Sequence, residues 1–523
     1  CEFLGRLHPS KGIFDLIKIW KLVVRELPNA SLAIIGGGSS EIGKTYITAS
    51  LGYLLKERGV KVNPLKFDGY LNQSTGTMCK YHVPQAFISM DEEVFVLNDG
   101  TECDSDLGIY ERFLGEDLSK ESYITNGSLL FKLITKDKGN GNILTFSSLK
   151  REYLNSLQLR SKNGVLLVEV GGTIGDPENS FFIELLAELS HSNRIFFILV
   201  APALHIHEFR EDVAPSSGSK LVRSAFKQLL KKGIKSDAII LRSRVKLPKS
   251  IIKHIQEDTS VKQIIEVPFM DSPYKIPAIL DESKLLESIA KKLNLKISKR
   301  RSEYSLSTYV RKISKLKRQV KVLILDKMES YGSYVSLREA LYHAGAEKGI
   351  LPRIMWIGGK LDLRNVNGII LLNDYENRNI KFKALKTARD LDIPTLAISG
   401  GFFLMVEEYL ESMGHNTQIV SHGRLKVGRF KTKLLKNSLI RTIYKKDNIW
   451  ERHRHTEFIE DFSVLENTPL SPVGFSEEGH LDAVELKGSN FYVGVSYHPE
   501  FSSKPNLPHP LFSKFIEACL RSA

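Results

Sequence analysis

Apolar positions in this chain gather into short runs separated by longer amphipathic stretches. Leu32–Ile35, Val60–Leu65, Val165–Val170 and Ile195–Val200 have the length and β-branched content of buried strands. Lys44–Arg58 and Phe181–Leu189 carry helical spacing between them. Such alternation predicts an α/β fold built on a parallel sheet. The pattern returns at Val320–Leu325, Gly368–Leu372, Thr395–Ile398 and Phe491–Val495, again with helical stretches between. A second α/β domain is therefore expected from about residue 319 to the end. There are no internal repeats and no low-complexity tracts.

Composition narrows the class. At 523 residues, 42% hydrophobic and 26% charged, the chain is globular and long enough for about three domains. Its four cysteines, Cys1, Cys79, Cys103 and Cys519, are too few for a disulfide framework and lack the CxxC spacing of a zinc site. No apolar run approaches the ~18 residues of a membrane span. The chain opens on Cys1 with no secretory pattern, so the start of the gene product is expected upstream and a reducing, cytoplasmic setting is expected. Twelve Lys/Arg and one acid, Glu303, lie between Lys291 and Lys321, a local +11 out of the chain's formal +14. That charge reads as a solvated connector. No zinc-finger, RNP-like or helix-turn-helix pattern accompanies it, so nucleic acid is not an expected partner.

The strongest local signal is Gly38-Ser-Ser-Glu-Ile-Gly43-Lys44-Thr45, a full GxxxxGK[ST] between an apolar strand and a helix. Its glycines let backbone N–H groups turn inward around phosphates, Lys44 reaches the terminal phosphates, and Thr45 meets Mg²⁺. Such a loop needs acids for its metal. Glu169, at the carboxyl end of the run Val165–Val170, is one candidate and Asp106 is a second.

Several stretches together resemble CTP synthase. They are Phe67-Asp68-Gly69-Tyr70-Leu71-Asn72, Gly76-Thr77-Met78, Asp104 to Phe113, Glu169-Val-Gly-Gly-Thr-Ile-Gly-Asp176-Pro-Glu178, Asp271 to Pro277, Ser333 to Gly345, Glu451-Arg-His-Arg-His455, and His498-Pro-Glu500-Phe501 with Lys504 to Phe512. The resemblance runs from about Gly36 to the end. It implies a P-loop-type amidoligase domain over 36–290, the basic linker over 291–318 and a class I glutaminase-like α/β domain over 319–523. Residues 1–35 are set apart. There, Gly5-Arg6-Leu7 and Lys11-Gly12 resemble the nucleotide-sugar-binding domain of retaining glycosyltransferases, with Arg6 and Lys11 where that family holds a diphosphate. The likeness stops near Gly38 and implies a fragment without activity of its own.

In the CTP synthase family the first domain uses ATP to phosphorylate the uracil 4-oxygen of UTP, and ammonia from the second domain displaces the phosphate to give CTP. The resemblance implies ATP contacts at Gly38, Gly43, Lys44 and Thr45, and a pyrimidine-nucleotide contact at Ser40. It places Mg²⁺ on Asp106 and Glu169, contacts to the inhibitory product CTP on Asp176 and Glu178, and phosphoryl-stabilising charge on Lys66. The family's run for the UTP phosphates aligns with Gly218 to Arg223, leaving Lys220 and Arg223 as cations, and a further family lysine falls at His254. A homotetramer is implied as well.

The glutaminase half departs from the family. The nucleophilic cysteine position is Ser399, and no cysteine lies between Cys103 and Cys519. A hydroxyl is a far weaker nucleophile than a thiolate. His498 and Glu500 keep their places as base and orienter. The family's oxyanion Gly-Gly aligns with Asn373-Asp374, where an acid opposes a developing negative charge. Phe403 occupies a glutamine-contacting position, and Thr456 or a deletion replaces an arginine. A serine hydrolase of Ser399, His498 and Glu500 is disfavoured, because Ala397 breaks the GxSxG elbow. In the synthase half about eight extra residues fall within Tyr81–Glu92, and Glu41 enters the phosphate loop. The expected function is thus amidation of UTP with free ammonia. The alternative is a silent homologue that assembles with or regulates an active enzyme.

Overall fold

The computed structural model describes residues 31–38, 42–78, 93–136, 145–161, 164–190, 195–203, 219–298, 305–326, 334–357, 361–372, 377–415 and 418–521. Arg6, Lys11, Ser40, Glu41, Asn373, Asp374 and the stretch Tyr81–Glu92 lie outside the described residues. The chain divides into two compact units, one of residues 1–74 and 121–303, the other of 75–120 and 304–523. Among the described residues no helix is long and apolar enough to cross a membrane.

In chain order the strands begin with β1 (Ser31–Gly37), β2 (Val62–Asp68), the short hairpin of β3 (Val94–Val96) and β4 (Glu102–Asp104), and β5 (Tyr123–Thr125). Then come β6 (Val165–Val170), β7 (Ile195–Pro202), β8 (Ala238–Ser243) and β9 (Gln263–Pro268). The first unit is one seven-stranded sheet in the order β5-β2-β6-β1-β7-β8-β9, with every neighbouring pair parallel. Both faces are covered. Leu32, Ile34, Val168, Leu199 and Leu241 are sealed from solvent under helices such as Ser180–Leu189 and Lys220–Lys231. A sheet buried on both faces needs near-continuous apolar strands, which explains why their runs were legible. The expected strand at Val60–Leu65 lies instead at Val62–Asp68, because Lys66 and Asp68 are charged yet buried at 4% and 2% exposure. The chain runs outward in opposite directions from β1, so the loop after β1 opens at a topological switch point, where α/β sheets bind ligands.

The second unit holds β10 (Gln319–Ile324), β11 (Leu351–Trp356), β12 (Gly368–Leu371), β13 (Thr395–Ile398), β14 (Ser421–Leu434), β15 (Asn448–Phe458), β16 (Leu470–Ser476), β17 (Leu481–Leu486) and β18 (Tyr492–Val495). They form one sheet, β11-β10-β12-β13-β18-β17-β16-β14-β15. It is parallel from β11 to β18 and antiparallel beyond. Hairpin β3–β4 and the helix Ser105–Leu114 also belong to this unit, and one cation explains why. Arg452 on β15, 1% exposed, forms a bidentate pair with Glu111 of that helix at 3.0 and 3.1 Å, donates to Asn98 Oδ1 at 2.7 Å and to the Phe501 carbonyl at 3.4 Å, and lies over the Phe95 ring. Arg454 to Glu102 at 2.8 Å and Lys504 to Asp117 at 2.5 Å extend the clamp. The compact units thus cut the chain differently from the sequence boundaries.

The charge balance is also less simple than one basic connector. Residues 421–454 hold eleven Lys/Arg against Asp447 and Glu451, and five of those cations are consumed in ion pairs.

Breaking a buried pair by removing one partner leaves the other charge uncompensated, at a cost of about 3–5 kcal/mol. Arg452→Met is therefore expected to accelerate amide exchange in the helix Ser105–Leu114 by on the order of a hundredfold or more, read by hydrogen–deuterium exchange on the full chain. Unchanged exchange in that helix would show that Arg452 does not hold it.

Candidate active site

The loop after β1 ends at Gly43, whose φ of 77° is left-handed and suits a residue without Cβ. The helix Lys44–Glu57 starts directly after it. Arg242, at the end of β8, braces the turn from behind. Its Nε donates to the Ile42 carbonyl at 3.0 Å, its Nη1 to the Val267 and Pro268 carbonyls at 3.0 and 3.2 Å, and its guanidinium lies 4.4 Å from the Phe269 ring centroid. Burial brings this guanidinium down to about 10, still cationic at neutral pH. Sequence reasoning passed over Arg242, since nothing local marks a strand-end arginine as the support of a loop two hundred residues away.

The first turn of the helix meets the carboxyl ends of β2 and β6. Glu169, fully buried, accepts from Thr45 Oγ1 at 2.9 Å and from Lys66 Nζ at 3.2 Å, both through Oε1. Lys66 also lies 3.8 Å from Asp68 Oδ1. Parallel pairing of Lys66 with Glu169 sets this meeting. Lys44 Nζ donates to the Gly172 carbonyl at 2.5 Å. The Gly171-Gly172 corner suits glycine, because a Cβ on Gly171 would fall 1.8 Å from the buried Asp68 Oδ1 and Gly172 takes a left-handed φ of 62°. Asp176 Oδ2 accepts from the Thr173 N–H at 2.6 Å, and Asn179 Nδ2 donates to the Gly171 and Thr173 carbonyls at 2.9 and 3.2 Å. Asn126 donates to the carbonyls of Gly69 and Glu178 at 2.9 and 2.7 Å, tying the corner to the loop after β2.

Of the residues named from sequence, the structure thus gathers Gly43, Lys44, Thr45, Lys66 and Glu169 in one place. Gly38 sits in tight packing, where an added Cβ would lie 2.7 Å from Ala225 Cβ. Asp176 is half-buried and Glu178 exposed beside the Gly171-Gly172 corner. Lys220 is exposed at the start of its helix, Arg223 pairs with Asp258 at 3.3 Å and His254 lies 3.8 Å from Glu257. Asp106 lies in the other compact unit, its N–H 3.4 Å from the capping Asp104 Oδ1.

Mg²⁺ takes hard oxygen donors, usually one or two carboxylates together with phosphate oxygens. The Glu169 carboxylate with the Thr45 hydroxyl beside it fits such an ion. Among the described residues no three His, Cys, Asp or Glu side chains are grouped to hold a metal ion.

In the second unit β13 and β18 run side by side, so Ser399 and His498 leave the sheet from the same end. Ser399 takes φ 52° and ψ −119°, a strained strand-to-helix turn of the kind that displays a nucleophile. Gly401 is packed against the Leu371 carbonyl, 2.3 Å from where its Cβ would be. His498 Nδ1 lies 2.7 Å from Glu500 Oε1, and its ring stacks on Phe501. The buried His498 Nε2 has no hydrogen-bond partner among the described residues, so base and hydroxyl are not engaged. Phe403 is buried, its ring 5.6 Å from that of His455.

Three comparisons place these features. The family model for the CTP synthase N-terminus matches residues 31–295, so β1 falls inside it. The class-I glutamine amidotransferase model matches residues 330–518. A CTP synthase of Saccharolobus solfataricus is 30% identical over 94% of this chain and 99% of its own length. That of Aquifex aeolicus is 32% identical over 93% and 98%. Among solved structures, the glutaminase domain of Trypanosoma brucei CTPS with bound acivicin covers 39% of this chain and 94% of its own at 21% identity, with a TM-score of 0.35, too slight a likeness to argue from.

Beside the His498–Glu500 pair, Glu93 accepts from Ser336 N and Oγ. Burial is the main force raising its pKa to about 7, with a smaller push from the Glu500 charge. A carboxyl held above its unfolded value of 4.5 favours the folded state fully at low pH, and that contribution is lost as pH rises from about 4.5 to 7. Glu93→Gln is expected to remove this slope, gaining up to on the order of 3 kcal/mol relative to the parent at pH 8 compared with pH 4. Exchange protection of the helix Val335–Lys348 at the two pH values measures it, and equal differences at both would refute it.

Proposed function

The chain belongs to the CTP synthase family, and from that membership we propose that it amidates UTP to CTP at the expense of ATP, drawing on free ammonia. The observation that carries the reading is the convergence of Lys44, Thr45, Lys66 and Glu169 on one corner. The loop amides and Lys44 bind and orient the triphosphate. Lys66 places a second cation beside the carboxylate, where charge spreads over the phosphoryl oxygens as the bond to ADP loosens. Mg²⁺, when bound, neutralises the β- and γ-oxygens. Glu169 and Thr45 would hold it. The uracil 4-oxygen takes the phosphoryl group, ammonia adds at C4, phosphate leaves with that oxygen, and a proton is released.

The glutaminase half supports the loss of ammonia supply from glutamine. Its nucleophile position is the hydroxyl of Ser399, and His498 Nε2 stands without a hydrogen-bond partner among the described residues. The His498–Glu500 pair persists, but a base and its orienter without an engaged nucleophile do not perform acyl transfer. Homotetrameric assembly, cytoplasmic residence and inhibition by CTP near Asp176 and Glu178 belong to the same proposal.

One observation favours the second reading, a silent partner of an active enzyme. Arg223, proposed for the UTP phosphates, is already paired with Asp258.

Purified protein with ATP, Mg²⁺, UTP and ammonium is expected to form CTP, followed by absorbance, while glutamine in place of ammonium yields none. No CTP and no UTP-dependent ATP turnover would overturn this and favour the silent reading. Lys66→Met is expected to lower the ammonium-dependent rate at least about a hundredfold, as loss of one transition-state contact does.

Ser399→Cys alone is expected not to restore glutamine use, because Asn373 and Asp374 still stand at the oxyanion position and Phe403 at the glutamine-contacting one. Glutamine-dependent CTP from that variant would show that the nucleophile was the only loss.

A further inference from the structure

Two buried polar side chains meet beside the Gly171-Gly172 corner, and the proposed reaction uses neither. Asn126, at the start of the helix Asn126–Lys136, is 6% exposed, and Tyr153, in the helix Phe146–Ser161, is 1% exposed. The Asn126 amide has partners on three different segments. Its Nδ2 donates to the Gly69 carbonyl at 2.9 Å and to the Glu178 carbonyl at 2.7 Å, and its Oδ1 accepts from the Tyr153 hydroxyl. A primary amide carries two donor hydrogens and one carbonyl acceptor, so both ends are engaged. With carbonyl oxygens on one side and a hydroxyl on the other, a single orientation of the amide satisfies all three.

The two carbonyls belong to the loops that shape the site. Gly69 follows Asp68 at the end of β2, three residues after Lys66, and Glu178 lies in the turn that begins at Gly171 beyond Glu169. The loops touch, since a Cβ on Gly69 would lie 2.7 Å from Asn179 Oδ1 and 2.8 Å from Glu178 Cβ. Parallel pairing of Asp68 with Thr125 brings Asn126 to this junction. Thr125 Oγ1 holds the same loop further on, donating to the Asn72 carbonyl at 2.8 Å.

The ring and the hydroxyl of Tyr153 have separate roles. The ring meets Phe67 edge-on with centroids 5.7 Å apart and Phe182 at 5.3 Å, while Phe67 and Phe182 stack at 3.9 Å. Phe67 stands between Lys66 and Asp68, and Phe182 four residues beyond Glu178. Packing is thus supplied by the ring, and the hydroxyl is left to hold the amide. Without it the buried Asn126 Oδ1 loses its donor, which is costly for an acceptor away from water. The phosphate loop is braced elsewhere, by Arg242 on the Ile42 carbonyl, and none of these three hydrogen bonds of Asn126 reaches it.

We infer that Tyr153 and Asn126 are positioning residues for the pyrimidine nucleotide. The Tyr153 hydroxyl orients the Asn126 amide, the amide sets the spacing between the loop after Lys66 and Asp68 and the turn that carries Asp176 and Glu178, and that spacing sets affinity for UTP and CTP. The inference rests on the proposed amidation of UTP and adds two residues that act on one of its two nucleotide substrates.

Tyr153→Phe keeps the ring and removes only the hydroxyl. In ammonium-dependent CTP formation by the full-length protein, it is expected to raise the KM for UTP and the inhibition constant for CTP together by about fivefold, the scale of one lost hydrogen bond, with the KM for ATP within about twofold of the parent. Asn126→Ala is expected to raise the UTP and CTP constants further, and Tyr153→Phe added to it to change neither, because the hydroxyl acts through the amide. Calorimetric titration with UTP, CTP and ATP makes the same comparison without turnover. Equal rises for UTP and ATP, or additive effects of the two substitutions, would mark a structural pair and overturn the inference. Parental constants in Tyr153→Phe, or a parent that binds neither UTP nor CTP, would overturn it as well. Where Asn126→Ala does not fold, the split between UTP and ATP in Tyr153→Phe decides. A parent that binds UTP and CTP yet forms no CTP removes the amidation reading and leaves the split measurable, so the two failures are distinguishable.

Discussion

Glu169 is the constraint on which the first unit turns. A carboxylate with no solvent exposure survives only if cations and donors compensate it, and here Lys66 and Thr45 do so from two different elements. That requirement fixes the register of β2 against β6, holds the first turn of the helix Lys44–Glu57 over the sheet, and keeps a lysine ammonium beside the phosphate loop. The arrangement is poor as a source of stability. Hydrophobic residues of the same volume would pack as well without desolvating charge. Under the proposed function its value lies in presenting preorganised charge to a transferring phosphoryl group, where no reorganisation is needed at the moment of reaction.

What could be read from the sequence followed the range of the interactions involved. The phosphate loop was legible because its glycines, lysine and threonine are contiguous and its strand and helix adjoin it. Strands buried on both faces announced themselves as apolar runs. Val62–Asp68 was displaced by a few residues in the reading because its functional end carries buried charge, which looks like a loop in a hydropathy pattern. Arg242 and the Arg452–Glu111 pair could not be found this way. Each acts across two hundred residues or more, and a lone charged residue says nothing of its partner until the fold brings them together. Ser399 was found by its place after an apolar strand, yet its unengaged histidine is a matter of angstroms that spacing cannot express.

The two units solve one problem in two ways. Both put their candidate site residues at the carboxyl ends of adjacent parallel strands, Lys66 and Glu169 in one, Ser399 and His498 in the other. In the first the side chains converge into mutual contact. In the second the strained elbow at Ser399 and the His498–Glu500 pair share one end of the sheet, yet His498 Nε2 has no hydrogen-bond partner among the described residues.

The position of β1 bears on how the molecule comes to exist at all. It is the first described strand in the chain and the central one in its sheet, with Ser31 paired to Val165 and Leu32 to Ile195. During synthesis it emerges long before either neighbour, with both edges unpaired and a sequence, Leu-Ala-Ile-Ile, that is prone to pair with other chains. Such late-closing parallel topology folds slowly. Completion of this sheet therefore waits on residues more than a hundred positions further along the chain.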